Sequence, residues 1–458
     1  SIVQFNFGKT EITLEKLDTD NGQYIYYDLY KPKIASEKNK VPFIAIIPGF
    51  QRSKEALSNI AIELSRRGYV VGLIDPYAQG LSSSSRSRIA ATTQGYGMFA
   101  LIEHVNESSD FNYINKELLG STGHSMGGNA AIRGANYFGK KADEQNKKSL
   151  LHSVYVSGYV LTLRDDVLKD VRSNVGVSYA LYDEGSFRNE LKNWDAANMK
   201  IAPESLRTVN SGLQKEEHIS EVELGKYYGD LESNTLRVIF NEELLHPFQP
   251  YNAEATANQL AYFETVFGTP IKLDTYDQIW QWKEFFTLLN MIISFWLLIP
   301  LTRTLLKINF FKTLVKPIPE ALPVQNRVGK TIFWSVFFVS AGIACVTFIP
   351  LVEVAKTLFP EAATRQLTWF FPQRMNNSVM LWALLNGSIG IFLFFVTYYF
   401  FGKKHGVKIN SWGLKLSFKD IYKTILLGLI IFIVYFFLLF LIYFLFHIDY
   451  RFWFMGVR

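Results

Sequence analysis

The stretch Gly123-His124-Ser125-Met126-Gly127-Gly128 separates a strand-like segment, Glu117–Thr122, from the helical run MGGNAAIRGANYF at 126–138. A serine on such a tight strand-to-helix turn needs small residues on both sides, because the chain bends sharply there. The turn also places the backbone N–H of Met126 at the N-terminus of a helix, where it can stabilise a developing oxyanion. The stretch therefore predicts an exposed, nucleophilic Ser125 in a fold of alternating strands and helices.

Outward from this turn, the first 284 residues alternate short apolar runs with amphipathic segments. This pattern predicts a mostly parallel sheet with helices on both faces, an α/β domain. We expect strands at 10–17, 23–30, 42–47, 69–74, 117–122, 153–160, 175–182 and 235–240, and helices at 53–67, 94–106, 126–138 and 253–267. The polar stretch 186–232 breaks the alternation and is interpreted as an insertion over the sheet, a candidate lid.

Four segments resemble the α/β-hydrolase family, in particular its dienelactone-hydrolase-like and small carboxylesterase branches. They are IIPGFQRSKEALSNIAIELSRRGYVVGLIDPYAQG, GSTGHSMGG, SYALYDEGSF and IFNEELLHPFQPYNAEATANQLAYFETVFG, and the resemblance covers about residues 10–268. It implies an α/β-hydrolase fold over residues 1–270. Dienelactone hydrolases use a cysteine nucleophile, whereas this chain has Ser125, which favours ester or amide chemistry of the esterase type.

A serine hydroxyl needs a general base to become nucleophilic at neutral pH. In this fold the base follows the serine and the acid in chain order. Three histidines lie between Ser125 and the apolar carboxyl-terminal half: His152, His218 and His246. His152 begins an apolar strand and His218 lies in a charged stretch, so we expect structural and solvated roles for them. The resemblance implies that His246, after the strand TLRVIF, is the base.

The acid that orients this base is expected at the end of the strand-like NVGVSYALYD, which makes Asp183 the first candidate. Glu184 is the next candidate, followed by Asp165 or Asp166. His124, beside the nucleophile, is expected to pack with its side chain away from the cleft.

The second oxyanion donor is expected in the loop after strand 42–47, where Gly49 lets the backbone approach a substrate. We predict that the backbone N–H of Phe50 joins that of Met126. This serine chemistry requires no cofactor and no metal ion, and the chain has no His-Glu-x-x-His zinc motif.

Charge is distributed unevenly along the 458 residues, whose formal net charge is +6. Residues 285–458 hold 17 Lys+Arg and 5 Asp+Glu, a net +12, which leaves 30 and 36, a net −6, for residues 1–284. The positive charge accompanies apolar runs, so we expect membrane lipids as partners and no nucleic acid.

Four apolar stretches, 285–301, 331–352, 378–402 and 421–447, are each about as long as the roughly 20 residues that cross a bilayer. They predict an all-α transmembrane domain at 271–458. The first loop carries Arg303, Lys307, Lys312, Lys316, Arg327 and Lys330, and the third carries Lys403, Lys404, Lys408, Lys415, Lys419 and Lys423. The second loop carries Lys356, Arg365 and Arg374, offset by Glu353 and Glu361.

Basic loops stay in the cytoplasm, so the first and third loops are expected inside and residues 1–284 outside. An export signal or earlier span is expected before Ser1. The sequence thus predicts a membrane-anchored serine hydrolase that cleaves a carboxylic ester of a small-molecule, lipid or envelope-linked acyl substrate. Peptidase or acyltransferase activity stays open, as does a non-catalytic ligand-binding domain of a sensor or transporter. A membrane-protein partner or a homo-oligomer is equally open.

Overall fold

The computed structural model describes residues 2–19, 22–84, 90–317, 326–363, 374–412 and 417–450. The chain divides into two compact units. The first comprises the residues up to Thr287 together with the segment that begins at His447, and the second comprises Leu288–Phe446. The predicted loop residues Arg365 and Lys415 lie outside the described residues.

The described strands of the first unit form one eight-stranded sheet in the order β1-β2-β4-β3-β5-β6-β7-β8. Strands β3 to β8 pair parallel with one another, whereas β1 pairs antiparallel with β2 and β2 pairs antiparallel with β4. Their bounds are β1 Thr10–Thr19, β2 Gln23–Pro32, β3 Val41–Ile47, β4 Val70–Ile74, β5 Ile114–His124, β6 Ser153–Ser157, β7 Asn174–Ala180 and β8 Arg237–Glu242. All eight predicted strands are present.

Helices cover both faces of this sheet, as the apolar strand runs require. They are α1 Ser58–Arg66, α2 Ala90–Thr93, α3 Met98–Glu107, α4 Met126–Gln145, α5 Asp165–Leu168, α6 Pro203–Asn210 and α7 Ala253–Phe267. Side chains of α1 and α7 share one buried cluster with Ile44 and Val238, and those of α3 and α4 share the other with Phe43 and Val154. This arrangement confirms the predicted fold class.

The carboxyl ends of the parallel strands lie at one edge of the sheet, where ligands bind in open α/β folds. The residues that follow β3, β5, β7 and β8 include Phe50, Ser125, Asp183 and His246 respectively. The fold thereby gathers four segments that are up to about 200 residues apart in the chain.

The candidate lid, 186–232, contains α6 and three short 3₁₀ segments, Ser186–Arg188, Trp194–Ala197 and Lys215–Glu217. Several of its apolar side chains are buried, including those of Met199, Val209 and Val222. The insertion is therefore packed against the core along part of its length. Its role as a lid stays a prediction.

The second unit contains long helices, and the described residues include four that are long and apolar enough to cross a membrane. The helices are α8 Trp280–Leu305, which begins in the first unit, α9 Arg327–Leu358, α10 Pro360–Ala363, α11 Arg374–Thr397 and α12 Phe418–Phe446. Between α9 and α11, Trp382 Nε1 donates a hydrogen bond of 2.8 Å to the carbonyl oxygen of Ala344. Such polar contacts assist helix association where lipid supplies no hydrophobic driving force.

Candidate active site

Ser125 lies between the end of β5 and the start of α4 with φ +58° and ψ −119°. Such a conformation is strained for a residue with a side chain and is a recurring feature of functional sites. Its amide donates to Ser157 O at 2.8 Å, and its carbonyl accepts from Asn129 N at 3.1 Å. These bonds hold the half-buried Ser125 at the carboxyl edge of the sheet, the predicted position for a nucleophile.

Close backbone packing explains the glycines around Ser125. A Cβ on Gly127 would lie 1.8 Å from Ile47 O, and one on Gly123 would lie 2.5 Å from the same oxygen. A Cβ on Gly49 would lie 3.3 Å from Ser125 Cβ, so the loop after β3 passes directly beside the nucleophile. The absence of side chains at these positions lets β3, its loop and the start of α4 meet.

Asp183 and His246 meet at this edge, with 3.0 Å between Asp183 Oδ2 and His246 Nδ1. The Asp183 side chain is 3% exposed and that of His246 is 22% exposed, so the imidazole remains accessible to a substrate while the carboxylate is shielded. Gly185 N donates to Asp183 Oδ1 at 2.7 Å. Burial opposes ionisation of Asp183, but the hydrogen bonds from His246 and Gly185 outweigh it and lower the pKa of the carboxyl group.

Ser125 Oγ and His246, both in the described part of the chain, form no hydrogen bond with each other. In substrate-free enzymes this contact is often long and tightens only when the substrate binds. The structure therefore places Asp183 in contact with His246 and places Ser125 at the same edge of the sheet, but Ser125 is not hydrogen-bonded to His246. The roles of the three residues as a triad stay predictions.

His124 packs as expected, but its side chain does not turn away from the predicted base. Its ring lies 4.6 Å from the His246 ring, centroid to centroid, and its Nδ1 lies 3.2 Å from Ser157 Oγ. Burial, and then the proximity of His246 and Arg52, lower the pKa of His124 well below its ordinary value. A neutral His124 thus packs against the ring of His246.

The predicted oxyanion donors lie on two elements beside Ser125. Met126 is the first residue of α4, where the amide has no carbonyl partner within the helix. Phe50 belongs to a turn closed by Arg52 N donating to Gly49 O at 3.2 Å. Their function as donors stays a prediction.

The other histidine and acid candidates lie elsewhere or are solvated. His152 packs against Phe267, with 5.4 Å between ring centroids, and burial followed by the charge of Lys148 lowers its pKa to about 4. His218 and Glu184 are exposed. Asp166 pairs with Arg164 at 2.9 Å. The structure brings none of these into contact with His246.

A buried polar network beside His246 has no counterpart in the sequence predictions. Gln249 lies in the same 3₁₀ helix, His246–Tyr251, and its Nε2 donates to Ser178 Oγ at 2.6 Å and to Glu242 Oε2 at 3.1 Å. Glu242 also accepts from Asn258 Nδ2 at 3.0 Å. Burial raises the pKa of Glu242 despite these hydrogen bonds. The only sequence signal was a carboxylate at the end of an apolar strand, which does not reveal its partners.

Comparison with known proteins agrees with this architecture. Residues 6–184 match the family model described as PETase, PET hydrolase-like. The chain contains a PETase-like α/β-hydrolase domain. The matched range includes Ser125 and ends one residue after Asp183, so His246 lies beyond it. This confirms the predicted α/β-hydrolase resemblance.

Solved structures similar to this chain include an esterase and a dienelactone hydrolase. No curated protein matches the chain. An esterase from Pyrococcus furiosus is 11% identical with a TM-score of 0.39, and the match covers 58% of this chain and 95% of that one. A dienelactone hydrolase from Anabaena variabilis is 14% identical with a TM-score of 0.36, covering 57% of this chain and 99% of that one.

Proposed function

We propose that the PETase-like domain is a serine esterase that cleaves a carboxylic ester through an acyl-enzyme. The observation that carries this proposal is the 3.0 Å contact between Asp183 and His246 at the sheet edge that also presents Ser125. An acid that orients a partly exposed imidazole near a serine on a strained turn has the components of nucleophilic acyl transfer.

In the proposed reaction, Ser125 Oγ attacks the ester carbonyl carbon while His246 Nε2 takes the hydroxyl proton. Asp183 accepts a hydrogen bond from His246 Nδ1–H and stabilises the imidazolium. The N–H groups of Met126 and Phe50 bind the tetrahedral oxyanion, a contribution of about 3–4 kcal/mol per donor in known serine hydrolases. His246 then protonates the leaving alcohol, and water, activated by the same imidazole, releases the acid from Ser125.

The four candidate spans support a substrate at or near a membrane, such as a lipid or an envelope-linked acyl ester. The basic first and third loops support a catalytic domain on the extracytoplasmic side. The rival function is ligand binding by a non-catalytic domain of a membrane sensor or transporter. The two functions differ in whether Ser125 is reactive.

The test is labelling of intact and lysed cells with a membrane-impermeant fluorophosphonate probe. We expect the full-length protein to be labelled on intact cells, because an activated serine outside the membrane is accessible to the probe. Ser125→Ala should abolish the label, whereas Ser149→Ala, which replaces a serine on a distant loop, should retain it.

Labelling that requires lysis would retain the esterase and contradict the extracytoplasmic placement. If the folded wild-type protein is not labelled in either sample, the esterase proposal fails and the binding function is favoured. Hydrolysis of p-nitrophenyl esters by the same samples would provide an independent readout of turnover.

A further inference from the structure

A cleft of about 640 Å³ opens between α9 and α11 within the unit Leu288–Phe446. Its volume falls in the range of about 300–1,000 Å³ that is typical of small-molecule sites. The walls are predominantly apolar and include Phe333, Val336, Phe337, Phe394, Phe401 and Trp412. Both helices are candidate membrane spans, so these walls favour a ligand with a hydrocarbon chain.

Trp412 lines this cleft beside two other aromatic residues. Its ring lies 4.4 Å from the ring of Tyr398 and 4.8 Å from that of Phe394, centroid to centroid. Tyr398 begins a π-helical turn, Tyr398–Gly402, a geometry that recurs at functional sites. The lining also includes the polar residues Asn326, just before α9, and His405, shortly after α11. The cleft is therefore apolar along its length and polar where α9 begins and α11 ends.

Positive charge surrounds the polar end. Four exposed basic residues lie close in sequence to the lining residues Asn326 and His405. Arg327 and Lys330 follow Asn326, and Lys403 and Lys404 precede His405. The stretches 326–340 and 390–412, which supply the lining, contain no Asp or Glu. A basic residue near a membrane surface strengthens binding of an anionic lipid by about fivefold.

We propose that this cleft binds an anionic phospholipid, with one acyl chain between α9 and α11 and the phosphate headgroup beside Lys403 and Lys404. The apolar walls account for the chain and the basic rim for the charge of the headgroup. This site is separate from the proposed esterase site and does not depend on that activity.

Two glycines allow a matched test of the chain site. Gly390 lines the cleft, and a Cβ there would meet nothing within 4 Å, so the side chain of Gly390→Leu enters open space. Gly342 on α9 has the same open surroundings but does not line the cleft. It lies about 200° around the helix from Ser340. Both substitutions raise helix propensity equally, so Gly342→Leu controls for that effect.

The measurement is native mass spectrometry of the full-length protein in detergent, titrated with dioleoyl phosphatidylglycerol or dioleoyl phosphatidylcholine. We expect wild type to bind the anionic lipid at least about fivefold more tightly. Gly390→Leu should weaken that binding about tenfold, the equivalent of losing roughly two buried methylene groups. Gly342→Leu should bind like wild type. Equal weakening by both variants, or no weakening by Gly390→Leu, would overturn the proposed chain site.

The headgroup contact has its own control. Lys403→Gln combined with Lys404→Gln should remove the preference for phosphatidylglycerol while leaving phosphatidylcholine binding unchanged. Lys307→Gln combined with Lys312→Gln makes the same charge change outside the lining and should preserve the preference. If wild type binds both lipids alike, or if both double variants lose the preference equally, the anionic-lipid assignment is wrong.

Discussion

At the scale of single residues, the site depends on a carboxylate that stays ionised while almost fully buried. Asp183 achieves this through His246 and the amide of Gly185, which together outweigh the effect of burial on its pKa. In the proposed mechanism, the ionised carboxylate accepts a hydrogen bond from His246 Nδ1–H, which leaves Nε2 free to act as a base. The same bond selects the tautomer and the orientation of the ring.

Asp183→Asn is predicted to lower kcat by about 10³–10⁴-fold with little change in KM, because an amide favours the wrong imidazole tautomer. The measurement is steady-state hydrolysis of a p-nitrophenyl ester, with the thermal midpoint recorded to confirm folding. Glu184→Gln removes the adjacent, exposed carboxylate and should leave kcat within about twofold of wild type. A larger loss in Glu184→Gln than in Asp183→Asn would reverse the assignment of the acid.

The carboxyl group of Asp28 lies in a buried ionic cluster. Lys54 Nζ is 3.6 Å from Asp28 Oδ1 and 3.7 Å from Asp75 Oδ2, and Glu55 is 3.2 Å from the same ammonium. Burial raises the pKa of Asp28 to about 7, although the positive charge of Lys54 opposes the rise. Burial also raises the pKa of Asp75. For Glu55, burial acts in the same direction, but the positive charge of Lys54 and nearby hydrogen bonds outweigh it and lower the pKa to about 2.

Between the unfolded pKa of Asp28, near 4, and its folded value of about 7, the folded state binds more protons. The free energy of unfolding therefore falls as pH rises through this window, by at most about 1.4 kcal/mol per pH unit from this group. Asp28→Asn should flatten the fall, so its stability relative to wild type increases from pH 5 to pH 8. Denaturant midpoints across this range test the prediction, and parallel curves for the two proteins would contradict it.

At the scale of elements, the 3₁₀ helix that carries His246 is fastened to β7 and β8 by Gln249. Gln249→Ala removes donors to Ser178 and Glu242 and leaves a buried carboxylate with fewer partners. We expect a stability loss of about 1–3 kcal/mol and, because a shift near 1 Å misplaces the base, a kcat loss of up to about 10²-fold. KM should change little.

The matched control for Gln249 is Asn258→Ala on α7. Asn258 donates to the same carboxylate but belongs to a different element from His246. It should lose stability with a smaller change in kcat. Equal kcat losses in the two variants would show that Glu242, and not the anchoring of the 3₁₀ helix, controls the base.

At the scale of the whole molecule, the number of spans determines which parts of the chain share a side of the membrane. The described residues contain four candidate spans, an even number, so the chain before α8 and the chain after α12 are expected on one side. The first unit agrees with this parity, because His447 O accepts from Gln4 Nε2 at 2.9 Å and Tyr450 is buried in that unit.

Substituted-cysteine labelling tests this topology, because Cys345 is the sole cysteine and can be replaced by serine. In that background, Ser149→Cys and Glu361→Cys should react with an impermeant maleimide on intact cells. Lys312→Cys and Lys404→Cys should react only after permeabilisation. A complete reversal would retain four spans and place the domain in the cytoplasm, whereas different results for Ser149→Cys and Glu361→Cys would contradict the span count.

Local patterns in the sequence were sufficient to predict the strands and the long helices of this protein. Apolar periodicity predicted the eight strands, because burial on both faces of a parallel sheet requires it. Uninterrupted apolar runs predicted the four long helices. The stretch Gly123–Gly128 predicted the tight turn at Ser125, because only small neighbours permit that backbone approach. The order of acid and base along the chain led to Asp183 and His246 as candidates.

Contacts between distant residues were decided by the tertiary structure alone. These include the 3.0 Å contact of Asp183 with His246, the support of His246 by His124, and the anchoring of Gln249 on Glu242. The pairing of β2 with β4 is another example. Such contacts depend on how whole elements pack, and a buried polar residue has no periodic signal that names its partner. The sequence by itself therefore determined the elements and the chemistry they can carry, and the packing of those elements decided which side chains meet.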